Sequence, residues 1–401
     1  MSRLFELQEE MLDDVDRKAM IDLIISRKQL TMSSNVEEFE RQFALYLNVP
    51  FAVMVNSGSS ANLLALAAIS NPLFTESVPQ GSEVLIPAIC WATSLWPIVQ
   101  MGLKPVWVDV NPYDFQINLD DMRSKINENT SAVLFVHILG MSTNMDEAME
   151  ICSNHSLVVI EDTCESLGSK FNGRTLGSFG SFGTFSFYYS HHITTIEGGM
   201  VICNRQEDVD LLKCLRSHGW TRYLSNKDTL EKTHANIDPR FLFVNMGYNL
   251  RPTELQGVLG ISQLMKLDRY NDTRKKNYEN LYRILNEKNI NGIISFVTKR
   301  DGLDCAWFAF PIMINLLYKD LLPNYKEFLT FKGIENRPII SGNFNRQPAL
   351  ELYGIKSDDN LYGADYVHDC GLYIGIPCGR VWSDEELNYL SDTLLDKEFL
   401  Q

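Results

Sequence analysis

Between Phe51 and Asn204 the chain alternates short runs of β-branched and aromatic residues with stretches of helical periodicity. The runs are FAVMVNS, SEVLIPA, KPVWVDV, SAVLFVHIL, SLVVIEDT, SFGTFSFYY and GGMVICN. Helical patterns lie between several of them, notably SANLLALAAIS and DEAMEICSNHS. Nearly continuous apolar strands separated by helices predict an α/β fold, with a mainly parallel sheet covered on both faces. The last two runs follow each other closely, which predicts an antiparallel pair.

After the long helical stretch RPTELQGVLGISQLMKLDRYNDTRKKNYENLYRILNEKN the character changes to AWFAFPIMIN, ENRPIISG and a closing helix SDEELNYLSDTLLD. This predicts a smaller C-terminal α+β domain. The expected division is an N-terminal arm at 1–24, a large domain at 25–264 and a small domain at 265–401. Internal repeats and low-complexity tracts are absent from the sequence.

The 401 residues, 45% of them apolar, suffice for two sizeable cores. A formal net charge of -15, with scattered Lys and Arg, argues against nucleic acid as a partner, because phosphate contacts need a basic stripe. The apolar runs are strand-length, so no membrane span is expected. MSRLFELQEEMLDDVDRKAM is too acidic for a signal peptide, and the expected location is the cytoplasm. Eight cysteines occur without a C-x-x-C pair; buried free thiols are expected, and no metal.

Three places carry candidate chemistry. VNSGSSANLLAL puts Ser57, Gly58, Ser59 and Ser60 in a strand-to-helix turn, where backbone N–H groups and hydroxyls can cradle a phosphate or simply cap the helix. VVIEDTCESLGS ends a buried strand on Glu161 and Asp162, at the carboxyl edge where open α/β sheets bind ligands. PAICWATSLWPIV brings Trp91 to a neighbouring loop, where its ring could stack on a flat ligand. Ser186 and Ser190, in FSFYYSHHITTIEGGM, are placed at the same crevice.

In order and spacing, the turn, the acidic pair, the Ser-rich strand with Glu-Gly-Gly and the later GYNLRPTELQGVLG resemble the DegT/DnrJ/EryC1/StrS sugar aminotransferases. The resemblance spans nearly the whole chain. It implies the aspartate aminotransferase type I fold and a pyridoxal-phosphate or pyridoxamine-phosphate (PLP/PMP) enzyme acting on a nucleotide-linked keto sugar. It further implies Asp162 at the cofactor's pyridine nitrogen, Trp91 stacked on its ring, and Ser57, Gly58, Ser59 and Ser186 at its phosphate. Asn249 would reach a neighbouring subunit's phosphate, making a homodimer with composite sites. Glu165 stands where relatives carry a neutral or basic side chain facing the cofactor's 3-oxygen. It either shares a proton with that oxygen or points elsewhere, and the first is preferred.

Counting six residues back from Glu197, the family's cofactor-linking lysine is replaced here by His191. Imidazole cannot form that stable covalent link, but it can move protons. Histidine at this position, with FYYSHHITTIEGG, RSHGWTR, GYNLRPTE and RPIISGNF, resembles the family's sugar 3-dehydratase branch. That branch implies loss of the C3 hydroxyl from a nucleotide-linked 4-keto-6-deoxy sugar, GDP favoured, with L-glutamate consumed, 2-oxoglutarate formed and ammonia released. A related branch uses an iron-sulfur cluster whose pattern includes C-x-C; this chain lacks that pair, so no cluster is expected. His218, Arg222 and Arg337 are the candidate contacts for glutamate carboxylates or diphosphate. Alternatives are a full aminotransferase and a non-catalytic PLP-binding homologue. If FSFYYSHHITTIEGGM is extended, His192 points away from His191 and is the less important of the two.

Overall fold

The computed structural model describes residues 5–289, 292–396 and 399. Its first nine strands are β1 Phe51–Val55, β2 Glu83–Pro87, β3 Lys104–Val108, β4 Thr130–Val136, β5 Val158–Asp162, β6 Lys170–Phe171, β7 Arg174–Thr175, β8 Phe182–Ser186 and β9 Gly199–Cys203. A seven-stranded sheet runs in the order β1-β9-β8-β5-β4-β2-β3 and takes in all seven apolar runs. Pairing is parallel from β3 through β8, while β9 runs antiparallel to both β8 and β1. Every residue of β5, β8 and β9 is buried, as strands covered on both faces must be.

Register decides where the site forms. Gly199 at the start of β9 lies opposite both Val55 and Ser186. The carboxyl ends of β1, β8 and β5 therefore meet at one edge, bringing the turn after Val55, Ser186 and Asp162 into one neighbourhood.

The remaining strands are β10 Ile294–Phe296, β11 Leu303–Asp304, β12 Ala309–Ile314, β13 Asn336–Pro338 and β14 Gly371–Gly375. Four of them form an antiparallel sheet ordered β10-β12-β14-β13, whereas β11 pairs with β6 beside β7. Helices Leu322–Phe331, Tyr362–Cys370 and Asp384–Leu394 belong to the same C-terminal region. The long helical stretch is two helices, Glu254–Leu264 and Leu267–Lys288, broken at Met265 and Lys266. At the break Lys266 turns inward, its ammonium 2.7 Å from Asp13 and 2.8 Å from Asp16, which is fully buried. The N-terminal segment thus ties to both regions, because Phe5 stacks on Tyr389 with centroids 5.9 Å apart and pairs with Ile334.

All eight cysteines are unpaired, and seven are buried. Among the described residues no cluster of His, Cys, Asp or Glu could hold a metal, and no helix is long and apolar enough to cross a membrane.

One buried ion pair anchors β1. Glu40 accepts from the Met54 N–H at 2.8 Å and from Arg216 at 2.6 Å, while the same guanidinium nitrogen donates to the Met54 carbonyl at 2.7 Å. Removing one partner leaves an uncompensated buried charge. Glu40→Ala is expected to lower unfolding free energy by roughly 3–5 kcal/mol in urea titrations. Arg41→Ala, which breaks only the exposed pair with Glu38, should cost less than about 1 kcal/mol.

Candidate active site

The turn after β1 forms because Ser57 takes an extended conformation and caps the helix Gly58–Ile69, its hydroxyl accepting from Ser60 N–H at 3.1 Å. A helix leaves its first N–H groups without intrahelical partners. With Ser60 capped by Ser57, the Gly58 and Ser59 donors are left for an anion, aided by the helix dipole. Ser59 Oγ lies 2.9 Å from Thr93 Oγ1 on the rim. A Cβ at Gly58 would come 2.4 Å from Ser186 Cβ, so only glycine lets the turn and the end of β8 close around one small space.

Asp162 sits beside this cradle. Its carboxylate accepts from Asn62 at 2.7 Å, Ser94 at 2.8 Å and the Cys164 N–H at 3.1 Å. Asn62 and Ser94 come from the helices that follow β1 and β2, and both are buried. Trp91, at the head of the helix Ala92–Gln100, leaves its ring 59% exposed, available for stacking. Behind it Ser341 Oγ donates to the Cys90 carbonyl at 2.7 Å, joining the C-terminal region to this loop.

Glu165 points inward. It accepts from the Leu139 N–H at 3.0 Å. Burial pushes its carboxyl up to about 8, against the pull of that N–H and with Asp162 adding to the rise. It is therefore mostly protonated at neutral pH and can donate a hydrogen bond. Burial also drives the Tyr373 hydroxyl far above its usual range, with Glu165 adding and Arg337 opposing. Tyr373 on β14 stands opposite Arg337 on β13, so the C-terminal sheet carries the two side by side.

His191 is half-buried in the turn after β8, with its N–H bonded to the Tyr188 carbonyl at 3.0 Å. Its ring lies 5.5 Å from that of Phe308 and 6.4 Å from that of Tyr188. Its Nδ1 is buried without a hydrogen-bond partner. Burial holds the imidazole down at about 4, despite the Cys164 carbonyl and Asp162, with Arg274 reinforcing the depression. At neutral pH it is an uncharged base.

The expectation for His192 is corrected. Residues 187–198 form turns rather than an extended run, so the two histidines do not alternate across a strand. His192 is fully buried, and its Nε2 lies 2.9 Å from the Ala306 carbonyl.

The other expected contacts form a separate cluster. Arg222 lies over the Trp220 ring at 4.4 Å, His218 meets that ring edge-on at 5.1 Å, and Arg251 donates to Asn249 at 3.1 Å. No hydrogen bond or ring contact joins this cluster to Asp162, Glu165 or His191 among the described residues. Ser190 is half-buried in the His191 turn, and Arg337 is exposed and paired with Glu335 at 3.2 Å. Asn62, Ser94, Tyr373 and Phe308 were not among the expected site residues. Only Asn62, one helical turn from Gly58, carries a local signal.

Phosphate-sized cradle, adjacent carboxylate, exposed flat ring and neutral base suit a planar phosphorylated cofactor. The profile of the DegT/DnrJ/EryC1/StrS aminotransferase family matches residues 12–394. The chain belongs to this family. Among its relatives, GDP-4-keto-6-deoxy-D-mannose 3-dehydratase of Escherichia coli O55:H7 is 36% identical over 391 residues, covering 95% of this chain and 97% of the relative. The dTDP-4-dehydro-2,6-dideoxy-D-glucose 3-dehydratase of Saccharopolyspora spinosa is 32% identical, covering 96% of this chain and 84% of that protein. A structure of GDP-4-keto-6-deoxymannose-3-dehydratase with a trapped PLP-glutamate geminal diamine superposes with a TM-score of 0.90 at 34% identity, covering 97% of this chain and all of the other. The aspartate aminotransferase-like α/β architecture is thereby established.

The raised Glu165 carboxyl has a consequence for stability. Below its ordinary value of 4.5 both folded and unfolded states hold the proton; between there and about 8 only the unfolded state releases it, so stability falls as pH rises through that window. In the cofactor-free protein, Glu165→Gln should match wild type near pH 4 and exceed it by a few kcal/mol at pH 8, read from urea unfolding. A stability difference independent of pH would show that Glu165 ionises freely.

Proposed function

We propose that this family member is a PLP-dependent 3-dehydratase of a nucleotide-linked 4-keto-6-deoxy sugar. L-glutamate supplies the amino group and the two reducing electrons, leaving as 2-oxoglutarate, and the other products are a 4-keto-3,6-dideoxy sugar, water and ammonia. The single observation that carries the reading is His191: a neutral, half-buried imidazole stands where the family resemblance puts the cofactor-linking lysine. The names of the relatives point the same way, and their GDP and dTDP sugars leave the nucleotide to experiment.

PLP, when bound, would supply the aldehyde that takes up the amino group of glutamate, and an electron-accepting ring. The chain's residues supply the rest. The Gly58 and Ser59 N–H groups with Ser186 would hold the phosphate, and Asp162, fixed by Asn62 and Ser94, would pair with the pyridine nitrogen. Protonated Glu165 could donate to the ring oxygen. The uncharged imidazole of His191 would take the proton lost from the carbon attached to the cofactor ring and deliver it to the C3 hydroxyl oxygen, which leaves as water. Asn249, with His218 and Arg222, completes the site of a second subunit, and Ser190 and Arg337 border the sugar side.

Product analysis tests this directly. With PLP, glutamate and a panel of nucleotide 4-keto-6-deoxy sugars, mass spectrometry should find sugar lacking one oxygen and equimolar ammonia. Nitrogen retained in the sugar would make the protein an aminotransferase. His191→Asn should bind the cofactor within about threefold of wild type yet turn over at least ~100-fold more slowly, the usual size of an acid/base contribution. Borohydride should trap no cofactor on the wild-type chain. Asp162→Asn, by contrast, is expected to weaken cofactor affinity as well as turnover, read by equilibrium dialysis.

A further inference from the structure

His191 owes its position to a segment far away in sequence. Cys305 to Phe308, just before β12, lies against the turn Ile138–Gly140 that follows β4. The Phe308 N–H donates to the Leu139 carbonyl at 3.3 Å, and the Leu139 N–H donates to Glu165. The Ala306 N–H bonds to Ser169 Oγ at 2.9 Å, and that hydroxyl donates to the Gly140 carbonyl at 2.6 Å. Gly140 has φ +90, and a Cβ there would come 2.2 Å from the Ala306 oxygen, so the two backbones are in the closest approach glycine allows.

On its other side the segment holds the histidine turn. Ala306 carbonyl takes the hydrogen bond from His192 Nε2, which fixes that ring's tautomer with hydrogen on Nε2. Phe308 then packs against both imidazoles, with centroids 5.5 Å from His191 and 5.8 Å from His192. The charged and titratable groups around His191 are Asp162 and Cys164 beside β5, Tyr188 and His192 on its own turn, and Arg274 from the helix Leu267–Lys288.

We propose that Phe308 is the positioning residue of His191: its ring forms the apolar wall that keeps the imidazole dry, uncharged and aimed. The segment carrying it joins Glu165 and His191, the two departures from the family pattern, into one unit. This rests on the reading of His191 as the base, and the test separates the two.

Full-length protein labelled in histidine is titrated by NMR as wild type, Phe308→Ala and Phe308→Leu, with the His191 signal identified by its loss in His191→Asn. Wild-type His191 should stay neutral to below pH 5. Phe308→Ala, by admitting water, should raise the midpoint by about one pH unit or more, and Phe308→Leu, by keeping an apolar wall, should shift it far less. The acid limb of the kcat profile should move with it, while cofactor affinity changes less than about threefold, since no phosphate or Asp162 contact is lost. An unmoved His191 midpoint in Phe308→Ala, or equal shifts in both variants, overturns the proposal. A moved midpoint with an unmoved rate profile upholds Phe308 as the wall and removes His191 from the reaction.

Discussion

The cofactor face hangs on a carboxylate that never touches a ligand. Glu161 is fully buried, and a carboxylate there costs several kcal/mol unless its lone pairs are filled. They are filled four times, by the N–H groups of Gly177, Phe179 and Gly180 and by His137 Nε2 at 2.9 Å. The first three donors belong to the loop that enters β8, and His137 follows β4. One satisfied charge therefore locks the ends of β4, β5 and β8 together. Because side chains alternate along β5, the next residue, Asp162, points to the other face, toward Asn62 and Ser94. The same alternation that makes Glu161 a girder turns Asp162 toward the proposed cofactor site.

A second layer depends on the C-terminal region. Glu165 and His191 are both held in low-polarity surroundings, and burial moves them in opposite directions: the acid keeps its proton and the base refuses one. Both neutral forms are useful, because a protonated carboxyl can donate to an oxygen and a free imidazole can accept. In solvent at neutral pH the carboxyl would lose its proton and the imidazole would be charged in part. Tyr373 and Phe308 bring the C-terminal region against Glu165 and His191, so these surroundings depend on the two regions being joined as observed.

Sequence pattern reached the sheet and the cradle because both are local. Seven apolar runs became the seven strands, and the Ser-Gly-Ser-Ser turn needs only its own residues and the helix it starts. What escaped was set by distant partners. Helical periodicity runs unbroken through Met265 and Lys266, yet the chain breaks there because Asp13 and Asp16, some 250 residues earlier in order of magnitude, draw Lys266 inward. His192 read as pointing away from His191 along an extended segment, but the segment turns and the Ala306 carbonyl holds the ring. Ser94 and Phe308 carry no motif at all; their roles exist only once β5 and the segment before β12 have been placed.

The depressed basicity of His191 bears on which reaction the site favours. An imidazole that titrates near 4 holds a captured proton weakly, so its conjugate acid is a stronger donor than an ordinary imidazolium. A lysine ammonium in the same place would hold the proton far more tightly and would add a second cation near Arg274, which is fully buried with its Nε and Nη1 unpartnered. Expelling a hydroxyl demands a good proton donor at the moment the C–O bond breaks, whereas completing an amino transfer demands a primary amine that can attack the cofactor's carbon. On the proposed reading, a flat, neutral ring packed beside Phe308 and Tyr188 would supply the first and withhold the second.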